Sequence, residues 1–305
     1  MVSKYKSEQG GKLILETYNE LVKAWGVAVT EEDVPTPYGS THLLLAGTED
    51  KPPLVLFHGV GDDAALMWLL NAKELSEHFH LIAVDTIGGP GKSEPNEAYF
   101  HSFDQAIWID GILAAKGLDK VYLAGVSNGA YLTQVYTAKR PQRVIRAVCM
   151  AGAIAEKGRK SPIFRMMKVF LPEALFPNEK NALRLVKKLS GDPAAIDSII
   201  RQHPVFLRHY IHLLKHFNNQ SMFYHKVEGF DEEEIAVIRE KTRILIGACD
   251  ALAAGSDAYD SLKKHHMNHR VVENAGHALN MEKADLVNGE IIAHLLGDRS
   301  EAAVS

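Results

Sequence analysis

Two cysteines in 305 residues, Cys149 and Cys249, are too few for a disulfide framework. Each falls near the end of an apolar, strand-like run, so both read as small reduced core residues. No apolar run approaches the roughly 20 residues with which a helix crosses a bilayer, so a soluble chain with no membrane partner is the default expectation. Charge of one sign is nowhere concentrated: 34 Lys and Arg stand against 38 Asp and Glu, for a net charge of −4. No basic stripe is interleaved with aromatics, so nucleic acid is not an expected partner. The opening segment MVSKYKSEQGGKLILETYNELVKAW mixes charges through its apolar positions and has no small-residue cleavage site, which argues against a signal peptide and for a cytoplasmic location. Solenoid-type repeats are absent too.

What is present is ordinary for a soluble folded chain, with 46% apolar and 24% charged residues. The length suits one α/β domain carrying an insertion. A helix is expected from about Ser7 to Trp25, with Leu13, Leu15, Tyr18, Leu21, Val22 and Trp25 roughly on one face. The runs THLLLAG and PLVLFHG read as strands, and Ala64 to Phe79 as helical. LIAVD, VYLAGV, VIRAVCMAG, RILIGACD and HRVVEN then read as strands, with helices at Ser102 to Lys116, Asn128 to Lys139 and Asn280 to Leu296. Buried strands alternating with helices imply a mostly parallel sheet with helices on both faces. The alternation stops between Ala153 and Lys241, where IFRMMKVFL, NALRLVKKL and PVFLRHYIHLLKHF carry helical periodicity. This division makes residues 1–152 the first part of the core with its N-terminal helix, 153–241 a helical lid inserted between strands, and 242–305 the second part of the core.

Between VYLAGV and the next helix stand Gly125, Val126, Ser127, Asn128 and Gly129, a G-x-S-x-G sequence at a strand-to-helix turn, which is the pattern of a nucleophile elbow. A serine hydroxyl attacks a carbonyl only when a base takes its proton and when it stands clear of the backbone, and small flanking residues permit the sharp turn this requires. A helix N-terminus beside it favours developing negative charge. The motif alone is weak, since Gly-rich turns recur by chance.

Its context is more telling, and from about Gly39 to Leu296 the chain resembles an α/β-hydrolase. His58 and Gly59 follow the strand that precedes the family's His-Gly loop, and the resemblance implies an oxyanion hole made by the backbone N–H groups of Val60 and Asn128. VDTIGGPGKSEP resembles the family's D-x-x-G-x-G-x-S loop with one additional residue; Asp85 and Ser93 there read as loop-shaping. Asp250 comes at the carboxyl end of a buried strand and His277 in a Gly-His loop before the last helix, completing the order Ser127, Asp250, His277. Ser256, Asp257 and Asp260 are rival caps or acids, and Glu156, after the preceding strand, is an alternative acid. VDTIGGPGKSEP and NAGHALNMEKADLVN resemble most the carboxylesterase NP type of bacterial esterase.

That resemblance implies a serine esterase or lactonase that needs no cofactor and acts on a small-molecule substrate, bulky and apolar or cyclic. His277 takes the proton of Ser127, Ser127 attacks the carbonyl, Asp250 orients His277, and water releases the acyl group. Phe164, Met166, Met167, Phe170, Phe206, Tyr210, Met222, Phe223 and Tyr224 of the lid are candidates for an apolar pocket or for core. The histidines at 209, 212 and 216, in HYIHLLKH, lack the nearby Glu of a zinc helix, and those at 265, 266 and 269 offer spacing alone, so no metal site is expected. Hydrolysis of a carbon–carbon bond by the same triad, or a receptor on a hydrolase fold, are the alternatives. Fold alone does not decide between them.

Overall fold

Strands made almost wholly of apolar side chains cannot leave either face in water, and here neither face is left open. The computed structural model describes residues 2–158, 163–253 and 258–297. In chain order these form α1 (Glu8–Ala24), β1 (Val29–Thr36), β2 (Gly39–Ala46), β3 (Pro53–Phe57), α2 (Ala64–Met67), α3 (Ala72–Ser76) and β4 (His80–Val84). There follow β5 (Glu94–Pro95), α4 (Glu97–Ser102), α5 (Gln105–Ala115), β6 (Val121–Val126), α6 (Asn128–Lys139) and β7 (Val144–Met150). Five helices come next: α7 (Ile163–Ala174), α8 (Glu179–Leu189), α9 (Pro193–Gln202), α10 (Pro204–His216) and α11 (Glu232–Lys241). The chain then returns with β8 (Thr242–Gly247), α12 (Ala258–Lys264), β9 (Asn268–Val272), α13 (Leu279–Glu282) and α14 (Ala284–Leu296).

The strands form one sheet in the order β1-β2-β4-β3-β6-β7-β8-β9, with β5 paired to β2. The run from β4 to β9 is parallel, while β1, β2 and β5 pair antiparallel at one side. Side chains alternate along each strand, so Leu54 and Leu56 of β3 enter the core under α1 and α14, whereas Val55 and Phe57 enter the one under α5 and α6. The expected α/β-hydrolase architecture is therefore present.

Local chemistry explains where element boundaries depart from the sequence reading. β1 carries VTEEDVPT, in which only Val34 is buried, and its acidic residues hid an edge strand that pairs with β2 along its whole length. The region from Ala64 to Phe79 divides into α2 and α3 around Asn71, whose buried amide donates to Asn280 O (3.0 Å) and Asn288 Oδ1 (2.8 Å). The last helix divides at Lys283, which has φ −131°. Cys149 is buried as expected, but Cys249 is exposed. β8 ends at Gly247, so Cys249 lies beyond the covered strand, in the loop that leads to Asp250.

Among the five helices between β7 and β8, α11 packs on α6, β7 and β8 and so covers the sheet, while α8, α9 and α10 pack on one another. α1 runs from its Ser7 cap to Trp25 and lies against both α10 and α2. At this junction Thr17 Oγ1 and His209 Nδ1 are 2.7 Å apart, and His209 Nε2 is 2.7 Å from Asp63 Oδ2, with His209 and Asp63 fully buried. Asp63 also caps α2, accepting from the N–H of Leu66 at 3.0 Å. Burial by itself raises the Asp63 pKa, but His209 outweighs it and holds the carboxyl below its ordinary value. A depressed acid of this kind stabilises the fold above its unfolded pKa of about 4 and loses that contribution as pH falls further.

Replacing His209 by Ala leaves Asp63 buried without its partner and is expected to cost about 3–5 kcal/mol. Thermal melts at pH 7 and pH 4.5 check this: the deficit is expected to be larger at pH 7 and to shrink at pH 4.5, where the stranded carboxyl takes up a proton.

Candidate active site

Ser127 sits between β6 and α6 with φ +57° and ψ −114°, a conformation that serine rarely adopts. Its N–H donates to Met150 O at 2.8 Å and its carbonyl accepts from the N–H of Tyr131 at 3.2 Å, so both sides of the turn are tied. The flanking glycines are steric requirements. A Cβ on Gly125 would lie 2.1 Å from Gly129 O, and a Cβ on Gly129 would lie 2.2 Å from Phe57 O. The turn lifts the serine above the carboxyl edge of the sheet, and Ser127 Oγ has no hydrogen-bond partner among the described residues.

Asp250 and His277 come to the same edge from β8 and β9. Asp250 is almost fully buried; its Oδ1 accepts from the N–H of Leu252 at 2.8 Å, and its Oδ2 lies 2.9 Å from His277 Nδ1. A carboxylate only accepts, so Nδ1 carries the proton and Nε2 is left as the acceptor. Because β6, β7, β8 and β9 are consecutive and parallel, the loops after β6, β8 and β9 open on one edge. Glu156 is directed elsewhere. It accepts from Ser261 Oγ and lies 2.9 Å from His265 Nε2 and 3.2 Å from Lys264 Nζ. Burial alone raises its pKa, but these hydrogen bonds outweigh that and hold it at about 2. Asp260 is exposed on α12, and Ser256 and Asp257 lie outside the described residues.

The loop after β3 is fixed by His58, which is fully buried. The N–H of Thr86 donates to His58 Nε2 at 2.8 Å, so Nδ1 bears the proton and donates to Gly59 O, also at 2.8 Å. Gly59 lies directly beside the serine: a Cβ placed on it would meet Ser127 Cβ at 3.4 Å, Asp62 Oδ2 at 3.5 Å and Met67 Cε at 3.5 Å. Val60, next along, is an exposed residue, and Asn128 opens α6 with a buried Nδ2 that has no hydrogen-bond partner among the described residues. Asp85 and Ser93 shape the neighbouring loop. Asp85 accepts from Tyr18 Oη, from the N–H of Ala64 and from the N–H of Lys92, while Ser93 Oγ donates to Asp85 O.

Two carboxyls that the sequence reading passed over belong to this neighbourhood. Asp62 is half-buried, and burial together with the carboxylate of Asp63 pushes its pKa up to about 8. Glu282 braces the His277 loop: it accepts from the N–H of Gly276, from Ser190 Oγ and from the N–H groups of Gly191 and Asp192, the last two at 2.9 Å. The pair of adjacent acids in HGVGDD was the available signal for the first; nothing in MEK distinguishes Glu282 from a surface acid. Among the histidines, His209 is engaged with Asp63, His212 Nδ1 lies 3.0 Å from Leu13 O, and His265 faces Glu156. No group of three His, Cys, Asp or Glu able to hold a metal occurs among the described residues. Of the apolar lid candidates, Phe206 and Met222 are core, Tyr224 packs on Tyr99 and Phe100, and Met167 and Phe223 face solvent at 46% and 74% exposure. The side chain of Phe164 lies outside the described residues.

The parallel sheet, the strained serine turn and the Asp–His pair on one edge define an α/β-hydrolase. The chain belongs to the alpha/beta hydrolase fold family, whose model matches residues 52–284. Over nearly its full length it is similar to Carboxylesterase YbfK of Bacillus subtilis, with 25% identity over 299 residues, 96% of this chain and 97% of that protein. The crystal structure of naproxen esterase (carboxylesterase NP) from Bacillus subtilis matches with a TM-score of 0.79 at 25% identity, over 94% of this chain and 98% of that one. The resemblance to the carboxylesterase NP type thus extends well beyond the motifs that suggested it. A shorter similarity links the chain to 2-hydroxy-6-oxo-2,4-heptadienoate hydrolase of Pseudomonas putida, 35% identical over 104 residues, 33% of this chain and 37% of that protein. No helix among the described residues is long and apolar enough to cross a membrane.

Glu282→Ala removes a carboxylate on which four donors converge, and hydrogen bonds to a charged group contribute about 1.5–3 kcal/mol each. The expected outcome is a melting temperature lowered by several degrees together with a turnover reduced at least tenfold, because the His277 loop loses its brace; Glu282→Gln is expected to retain more of both. Calorimetry and steady-state kinetics on the two variants check it.

Proposed function

We propose that this chain hydrolyses carboxylic esters, lactones included, through an acyl-enzyme on Ser127. The observation that carries the reading is the 2.9 Å contact of Asp250 Oδ2 with His277 Nδ1, on the sheet edge that also holds Ser127 at φ +57°. In the proposed mechanism His277 Nε2 takes the Ser127 proton as Oγ attacks the ester carbonyl. Asp250 keeps the imidazole in the required tautomer and stabilises its protonated form. The backbone N–H groups of Val60 and Asn128 receive the developing oxyanion, each contributing about 2.7–4 kcal/mol to the transition state. His277 then protonates the departing alkoxide, and water, activated by the same histidine, releases the acid. The similarity to carboxylesterases along nearly the entire chain supports esters as the substrate class.

The same reading takes the enzyme to be a bacterial cytoplasmic one whose partner is a small-molecule ester, bulky and apolar or cyclic, rather than nucleic acid or membrane. The slight negative charge of the chain supports the exclusion of nucleic acid, and the similarity to carboxylesterases of Bacillus subtilis supports the bacterial ester class. The shorter similarity to a dienoate hydrolase supports a second reading, carbon–carbon hydrolysis by the same triad. A vinylogous diketone turned over while simple esters are left intact would favour that second reading.

Intact mass after exposure to an alkyl or aryl fluorophosphonate tests the nucleophile. One adduct on the wild type and none on Ser127→Ala is the expected result, and an unlabelled wild type would reject the mechanism. In ester hydrolysis Ser127→Ala is expected to lose roughly 10⁶-fold in kcat and Asp250→Asn about 10⁴-fold, the latter because the imidazole tautomer is no longer held.

A further inference from the structure

Of the described acids around the serine, Asp62 is the one without an internal task. Asp63 is taken up by His209 and the α2 cap, Asp85 by Tyr18 and two backbone N–H groups, and Asp250 by His277. The Asp62 side chain makes no hydrogen bond or ion pair among the described residues, although its backbone N–H donates to Gly59 O at 3.4 Å and so folds the loop back over Gly59. Its Oδ2 and Ser127 Cβ both border the vacant side-chain position of Gly59, at 3.5 and 3.4 Å. The carboxyl and the nucleophile therefore border one common position, on the loop to which the esterase reading assigns the Val60 N–H.

Among the described residues no ion pair gives it a counter-charge. On its own loop is Asp63, already paired. From α10 comes Tyr210, whose hydroxyl is driven up by burial first and then by the charges of Asp62 and Glu173. His58 is engaged with Thr86 and Gly59, and His277 with Asp250. An ionised carboxyl here would repel the negative charge that builds on the ester carbonyl, whereas a protonated one donates to it.

On the esterase reading above, we propose that Asp62 is a further catalytic residue: as a carboxylic acid it donates a hydrogen bond to the ester carbonyl oxygen, beside the backbone N–H groups of Val60 and Asn128. The active form is the protonated one, so activity declines as the medium becomes alkaline. The carboxyl's rise to about 8 sets the window.

The test is the pH profile of kcat/KM for a p-nitrophenyl ester, with fluorophosphonate labelling of Ser127 measured in parallel, on wild type, Asp62→Asn and Asp62→Ala. The wild type is expected to lose about tenfold between pH 7 and pH 9, as the protonated fraction falls. Asp62→Asn keeps a donor with no proton to lose, and its profile is expected to be flat over that range. Asp62→Ala is expected to be flat as well, with kcat lower by roughly ten- to a hundredfold at pH 7 for want of the hydrogen bond. A melting temperature raised in Asp62→Asn at pH 8 but not at pH 4 would support the same titration without recourse to activity, because ionising a carboxyl with an elevated folded-state pKa weakens the fold above its unfolded pKa. An alkaline decline of equal size in Asp62→Asn overturns the proposal while leaving Ser127 chemistry intact. A wild type neither labelled nor active at any pH overturns the esterase reading, and this inference with it.

Discussion

A serine held at φ +57° costs about 1–3 kcal/mol in backbone strain and persists only where its surroundings leave no alternative. Here the alternatives are closed by contact. The chain on either side of Ser127 packs so tightly that Gly125 and Gly129 face carbonyl oxygens at distances no Cβ could tolerate, and Phe57 and Met150 belong to the strands that flank β6. The parallel sheet is thus the clamp that keeps the turn bent. It also delivers Gly59 from β3 directly to the serine, which brings the candidate oxyanion loop and the candidate nucleophile together without a long-range interaction of their own.

Around that clamp, buried acids act as fasteners between segments distant in sequence. Asp85 joins α1, the start of α2 and the loop after β4; Asp63 joins α2 to α10; Glu282 joins the His277 loop to the α8–α9 connection. Each accepts several hydrogen bonds, so each fixes the relative positions of its donors, and a buried carboxylate left without them is strongly destabilising. The N-terminal segment works in the same way. Lys4 is buried and donates to Gly91 O, Ser93 O and Glu94, so the residues before α1 hold the Gly-rich loop near the site.

Much of this was legible in advance because it rests on local periodicity. The apolar runs of β3, β4, β6 and β7 announce buried parallel strands, and α6 begins at Asn128 and ends at Lys139 as its pattern indicated. Ser127, Asp250 and His277 were legible as candidates because Ser127 directly follows β6 and the other two stand in the loops that follow β8 and β9, each in a stretch of recognisable composition. β1 was not, since its acidic residues carry no alternation, and the break at Asn71 was not, since it depends on partners more than two hundred residues away.

The sequence by itself determined the fold class, the candidate nucleophile and the order of the three candidate triad positions, because strand alternation and a G-x-S-x-G turn are written in neighbouring residues. Only the tertiary structure decided which acid meets His277 and which is diverted, as Glu156 is to Ser261, Lys264 and His265. It alone exposed Cys249, bound His209 to Asp63, and left the Asp62 carboxyl, which borders the same Gly59 position as Ser127, with no partner among the described residues. The physical reason is that burial and hydrogen-bond satisfaction are properties of the packed whole: an acid's role depends on the donors brought to it by other segments, and no window of neighbouring residues contains them.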